Sequence, residues 1–259
     1  MIAVGIVGMG VIGRAIARAV TTDLPGVTLA GVTVRAPATA AGYPALPLPE
    51  LIRRSDLIVE AATQAALRDL GPAVLEAGKD LMVLSVGALV GVLDEWARLA
   101  ETHRCRILVP SGAIAGLDGV KGAREGAITS VTMETRKPPR GLAGAPYIAQ
   151  HRIDLDTITR ETLIFEGPAS EAVRAFPANV NVVAALSLAG VGPERTRIRI
   201  FAVPGQERNQ HRVTIEGEFG RLAIEIENVP SENPRTGKLS YLSAIAMLRE
   251  LGASVHVGT

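Results

Sequence analysis

Apolar and β-branched residues in the first part of the chain fall in short runs at residues 2–7, 27–34, 57–61 and 81–86, with a briefer one at 106–109. Between them lie segments whose apolar positions recur at helical spacing: 14–20, 64–77 and 92–102. Runs that stay apolar instead of alternating belong to strands buried on both faces. Such strands, alternating with helices, make a parallel sheet covered on both sides. The pattern predicts a doubly wound nucleotide-binding layout. From residue 127 the period changes. Thr196, Ile198, Ile200 and Ala202 alternate with Arg195, Arg197, Arg199 and Phe201. Val213 and Ile215 alternate with Thr214 and Glu216, and Leu222, Ile224 and Ile226 with Ala223, Glu225 and Glu227. A period of two marks antiparallel strands with one face on a core. Arginines and glutamates on the other face pair across strands for about 0.2–1 kcal/mol each, which reads as a solvated or subunit-facing surface.

The expected fold class is therefore α/β: an N-terminal Rossmann-type doubly wound parallel sheet, then a C-terminal α+β domain with an open, mostly antiparallel sheet. Residues 1–110 form the dinucleotide-binding domain and 111–237 a catalytic, substrate-binding and dimerisation domain. The segment 238–259 holds an amphipathic helix at 240–251 that packs back onto the first domain. The stretch 36–49, rich in Ala, Pro and Gly, reads as a loop.

Composition narrows the function. The net charge is +1 without a basic block, which argues against nucleic acid or an anionic membrane as partner. Aromatic residues make up 3%, too few for base-stacking platforms. The longest uncharged run, 175–193, contains Pro177, Asn179 and Asn181 and reads as the approach to a buried helix, not a membrane span. The apolar N-terminus lacks a basic region and is broken by Gly5, Gly8, Gly10 and Gly13, so no signal peptide is expected. Cys105 is the one cysteine and has no zinc-site company, so no metal is expected. A cytoplasmic protein is the expectation.

Gly8-x-Gly10-x-x-Gly13 follows a predicted strand and opens a predicted helix, the context that gives this motif meaning. Gly8 allows the tight turn, Gly10 lets the backbone approach a diphosphate, and Gly13 lets helix and strand pack closely. Gly8, Gly10, Val11, Ile12 and Gly13 are thus candidate cofactor contacts. An NAD site usually places an acid at the end of the second strand, to hold the ribose 2′-hydroxyl. Here that stretch reads Gly31-Val-Thr-Val-Arg35, without an acid. Arg35 can pair with a 2′-phosphate, so the expected cofactor is NADP, or NADP and NAD alike. Thr63, Gln64 and Ser85 to Gly87 follow strands of the parallel sheet, where the cofactor crevice should lie.

Four histidines are available for acid–base work. His103 and His256 read as solvated, His151 follows a loop beside Arg152 and Asp154, and His211 opens an alternating strand. An imidazole of ordinary pKa near ~6.5 suits proton transfer at neutral pH. Asn179 and Asn181 precede a helical run, where one caps and the other is free to read a carboxamide. Arg136, Lys137 and Lys238 are candidate carboxylate clamps that read equally as surface cations.

Several ordered segments resemble the L-aspartate dehydrogenases. They are Val109-Pro-Ser-Gly-Ala-Ile-Ala-Gly-Leu-Asp-Gly119, Thr135-Arg-Lys-Pro-Pro139, Phe176-Pro-Ala-Asn-Val-Asn181, Asn209-Gln-His211, Gly217-Glu-Phe-Gly220, Glu227-Asn-Val-Pro-Ser231 and Asn233-Pro-Arg-Thr-Gly237. The resemblance implies NAD- or NADP-dependent oxidation of L-aspartate to iminoaspartate, and the polar face of the antiparallel sheet suggests, by fold analogy, a homodimer. It implies His211 as the catalytic acid/base, with Asn181 and Ala115 at the cofactor. Two alternatives remain. A reductase of the dihydrodipicolinate-reductase plan would carry a His-His pair, which does not occur here. A cofactor-sensing protein without turnover would leave His211 and Asn181 idle.

Overall fold

The computed structural model describes residues 1–177, 180–229 and 237–258. The chain divides into two compact units, residues 1–112 with 240–257, and residues 113–239 with Gly258. In the first, strands β1 (Ile2–Val7), β2 (Val27–Thr33), β3 (Leu57–Glu60), β4 (Asp80–Val83) and β5 (Ile107–Leu108) lie in the order β2-β1-β3-β4-β5. Every pair is parallel. The chain leaves β1 for one side of the sheet and returns on the other, so the switch point lies between β1 and β3. Ligands of open α/β sheets bind in the crevice at that point. Helices α1 (Val11–Thr22), α2 (Leu48–Arg54), α3 (Gln64–Glu76) and α4 (Leu93–Thr102) connect the strands. Val4, Ile6, Ile16, Val32, Val59 and Met82 form the centre of the core.

Two local expectations need correction. The stretch 36–49 is not all loop: it contains a 3-10 turn at Pro37–Ala40 and leads into α2. In α2 Leu51 and Ile52 are buried, and Glu50 pairs with Arg54, but seven residues carry too little periodicity to announce a helix. Between these pieces, Val32 donates its N–H to Pro44 at 2.8 Å and accepts from Leu46 at 2.9 Å, adding a short backbone pairing beside β2. The apolar run at 81–86 is also divided, because β4 stops at Val83 and a 3-10 turn, Val86–Leu89, follows.

The second unit holds β6 (Ile128–Lys137), β7 (Thr162–Pro168), β8 (Thr196–Ala202), β9 (Asn209–Gly217) and β10 (Gly220–Asn228), in the order β10-β9-β6-β8-β7. β6 and β8 are parallel and the other pairings antiparallel. Helices α5 (Leu117–Arg124), α6 (Pro146–Gln150), α7 (Ala169–Ala175) and α8 (Asn181–Ala189) complete it. α7 packs on β7 and β8, and α8 on β8 and α5. Val131, Met133, Ile198, Ile200, Val213 and Ile215 are buried on the covered face. The opposite face carries ion pairs across strands. Glu134 accepts from Arg136 and Arg199, each at 2.9 Å, and Arg212 meets Glu225 at 3.1 Å. The Arg136 and Arg199 guanidinium groups lie 4.7 and 5.1 Å from the centre of the Phe201 ring.

Helix α9 (Leu239–Leu251) sends Ala244 and Leu248 into the core of the first unit, and Arg249 pairs with Asp23 at 3.0 Å. Its Leu242 stays half exposed, so the helix is less amphipathic than expected. No described helix is long and apolar enough to cross a membrane.

Close packing of α3 on α4 depends on Gly71, because a Cβ there would overlap the indole of Trp96. Gly71→Ala is expected to lower stability by about 1–3 kcal/mol through overpacking. The one tryptophan of the chain makes this readable, as a shifted Trp96 emission and an earlier midpoint in urea.

Candidate active site

The glycine loop is built by contact, not by flexibility alone. Gly8 lies at φ +95°, where side chains are disfavoured, and a Cβ there would sit 2.5 Å from the Ala61 carbonyl oxygen. A Cβ at Gly13 would overlap the carbonyl of Gly8. Gly10 differs: it caps α1 with extended backbone, and the space beside its Cα is open. The first helical bond of α1 runs from Arg14 N–H to Gly10 at 3.0 Å, so the amides of Val11, Ile12 and Gly13 are not used within the helix. The first turn of α1 carries no acid, leaving the positive end of its dipole uncompensated. Free amides, room beside Gly10 and a positive helix end fit the diphosphate of a dinucleotide. Gly8 donates to Thr33 at 3.0 Å, which ties the loop to the end of β2, and Arg35 stands exposed two residues beyond. Among the described residues Arg35 makes no ion pair.

In the second unit one end of the covered sheet face is polar. Alternation along β6 turns Val131, Met133, Thr135 and Lys137 inward. On β9 the same holds for His211, Val213 and Ile215. Thr135 and His211 face each other in register, and the Thr135 hydroxyl lies 3.1 Å from Nδ1 of His211. Lys137 follows two residues on, and both Lys137 and His211 are only 5% exposed. At the end of β10 the buried Asn228 donates from Nδ2 to the Ala113 carbonyl at 3.0 Å. That bond holds the turn carrying Ala115 beside the same sheet end. Ala115 itself is exposed and precedes Gly116, where φ is +77° and a Cβ would overlap Ile224. Asn181 is the first residue of α8 and half-buried.

Burial sets the proton affinities here. It pushes the His211 imidazole down to about 3, with the neighbouring Lys137 charge adding to the effect. It also pushes the Lys137 ammonium down to about 8. Burial thus favours the neutral imidazole, in contrast to the ordinary value expected from the sequence.

The remaining candidates are not gathered here. His103 and His256 are exposed, and His151 is an exposed residue stacked on Tyr147 at 3.9 Å. Arg136 points to the opposite face and pairs with Glu134 and Glu161, and Lys238 is exposed. Lys137, weighed as a surface cation, is instead buried. The period-two pattern of β6 contains that signal, since it places 137 with 131, 133 and 135. The N-cap of α8 is Val180, without a side-chain bond, so Asn181 does not cap and stays the residue read as facing the cofactor, while Asn179, the other capping candidate, lies outside the described residues.

Both depressed values act on stability in the same direction. The unfolded chain protonates His211 near pH ~6.5 and the folded chain only near 3, so stability should fall as pH drops through that window. The slope is about 1.4 kcal/mol per pH unit for one proton. Lys137 gives a separate loss as pH falls from 10.5 to 8, which is complete by neutrality. Urea midpoints from pH 7 to 4 should therefore decline less steeply in His211→Gln than in the wild type. Equal slopes would contradict the burial of this imidazole.

Residues 118–251 match the family described as aspartate dehydrogenase, C-terminal, and residues 8–110 the one described as homoserine dehydrogenase, NAD binding domain. The chain is 46% identical to L-aspartate dehydrogenase of Methanosarcina barkeri and 45% identical to that of Methanosarcina acetivorans, each over the whole of both chains. The crystal structure of aspartate dehydrogenase from Thermotoga maritima superposes with a TM-score of 0.79 at 25% identity, covering both chains completely. Fold, ordered motifs and full-length similarity agree, and the chain belongs to the L-aspartate dehydrogenase family.

Proposed function

We propose that this chain oxidises L-aspartate at Cα to iminoaspartate with a nicotinamide dinucleotide, the imine then hydrolysing to oxaloacetate and ammonia or feeding NAD biosynthesis. The observation that carries this reading is the buried His211–Thr135 pair, with Lys137 beside it, at the polar end of an otherwise apolar sheet face. A bound nicotinamide supplies the acceptor for the hydride that leaves Cα.

The protein's own part is proton handling and charge. The substrate amine must be neutral to push its lone pair into the C=N bond, so its ammonium form has to lose a proton. A neutral His211 takes that proton or activates the water that attacks the imine. Thr135 occupies Nδ1, which leaves Nε2 to meet the substrate. A dicarboxylate bound beside Lys137 offsets the lysine charge and raises the imidazole toward a useful proton affinity. Lys137 is accordingly the cation read as holding a substrate carboxylate, in preference to Arg136 or Lys238. Gly8, Gly10, Val11, Ile12 and Gly13 receive the diphosphate. Asn181 and the backbone at Ala115 read the nicotinamide end, and Arg35 pairs with a 2′-phosphate, so NADP is preferred or used alongside NAD. The ion-paired outer sheet face supports a homodimer built on the second unit.

Nicotinamide reduction followed by absorbance should occur with L-aspartate and not with D-aspartate, L-glutamate or L-alanine. His211→Ala should lower kcat by about 10²–10⁴ while dinucleotide binding survives. Turnover near the wild-type level in that variant would remove His211 from the mechanism. Arg35→Ala should raise KM for NADP by roughly tenfold or more and leave KM for NAD nearly unchanged. An unchanged NADP value would assign Arg35 to the surface.

A further inference from the structure

Glu60 ends β3 with no exposure to solvent. Its Oε1 accepts the Ala62 N–H at 2.8 Å and the Ser85 hydroxyl at 2.9 Å. Its Oε2 accepts the Ser85 N–H at 2.9 Å and the Leu84 N–H at 3.3 Å. Each oxygen thus receives a backbone donor, the arrangement of an ionised carboxylate. Burial nevertheless pushes this carboxyl above its ordinary range, against the pull of those bonds. The rest of β3, Leu57, Ile58 and Val59, is buried and apolar, so an apolar residue would suit the strand interior better.

What the carboxylate adds is a cross-link between turns. Oε1 holds the turn after β3 together with the Ser85 side chain, and Oε2 holds the backbone of the turn after β4. The first of these is the surface on which the glycine loop rests. Ala61 donates to Val7 at 2.8 Å, and the Ala61 carbonyl is the atom a Cβ on Gly8 would strike. A line of short contacts therefore runs from Leu84 and Ser85 through Glu60 to Ala61 and Ala62, and on to Gly8. All of it lies along the carboxyl edge of β1, β3 and β4, beginning at the switch point.

We infer that Glu60 is a positioning residue for the dinucleotide: it does not touch the cofactor, but fixes both turns and, through Ala61 and Ala62, the height of the Gly8–Gly13 loop. The inference rests on the reading of the first unit as a nicotinamide dinucleotide site. Glu60→Gln keeps the shape but turns an amide NH₂ toward a backbone N–H, so one turn must let go. Ser85→Ala removes one donor and keeps the charge.

The experiment is a fluorescence titration of reduced dinucleotide into wild type, Glu60→Gln and Ser85→Ala, with thermal melts, amide hydrogen exchange and steady-state kinetics beside it. Glu60→Gln should raise the dinucleotide Kd and KM by about tenfold or more, and speed exchange at Ala62 and Ser85. Its kcat at saturating cofactor should stay within about threefold of wild type, as should KM for L-aspartate. Ser85→Ala should raise Kd by about two- to fivefold. A folded Glu60→Gln with Kd within twofold of wild type overturns the inference, as does a fall in kcat with KM unmoved. Should Glu60→Gln fail to fold, Ser85→Ala decides in the same way, a wild-type Kd being the overturning result. Wild type that binds no dinucleotide removes the parent reading, and the inference with it.

Discussion

Taking an imidazole and an ammonium out of water is unfavourable, and the second unit does both at one end of the covered face of its sheet. The arrangement exists because β6 and β9 run antiparallel with Thr135 opposite His211, which puts the last turn of one strand's alternation against the first of the other's. Beyond Thr135 the inward positions Val131, Met133, Val213 and Ile215 are apolar, so the two groups have a low-dielectric floor beneath them and keep their protons loosely. The proton affinities at this end are therefore set by burial and by the charges beside it.

The first unit applies the same physics with the opposite sign. At its sheet edge a buried carboxylate is satisfied by backbone amides, while the helix after Gly10 presents amides that its own backbone does not use. One set of donors is consumed within the fold and the other is not used by its own helix. Glycines serve both sets: Gly8 and Gly13 permit close backbone contact, and Gly10 keeps space clear.

Much of this was legible in the chain. Unbroken apolar runs gave the parallel strands, alternation gave the second sheet, and the glycine spacing gave the loop, because each is a local consequence of which faces are buried. What escaped has physical reasons. Glu60 stands inside an otherwise apolar run, and it is tolerated there because the Ala62 N–H and the donors of the next strand's turn, some 25 residues away, converge on its carboxyl. Lys137 precedes two prolines and reads as surface until the register of β6 is counted. Helix α2 is too short for a period to announce it. The low proton affinity of His211 depends on burial, which no spacing encodes.

The placement of α9 has a consequence for biosynthesis. Ala244 and Leu248 complete a core whose other members lie before residue 83, so the second unit is inserted into the first as one long excursion of the chain. During vectorial synthesis the first unit emerges with a gap in its hydrophobic core and an exposed apolar groove. The inserted unit is finished earlier, although it starts later. The core of the first unit is therefore complete only once α9 has been made, although most of that unit is translated before the second.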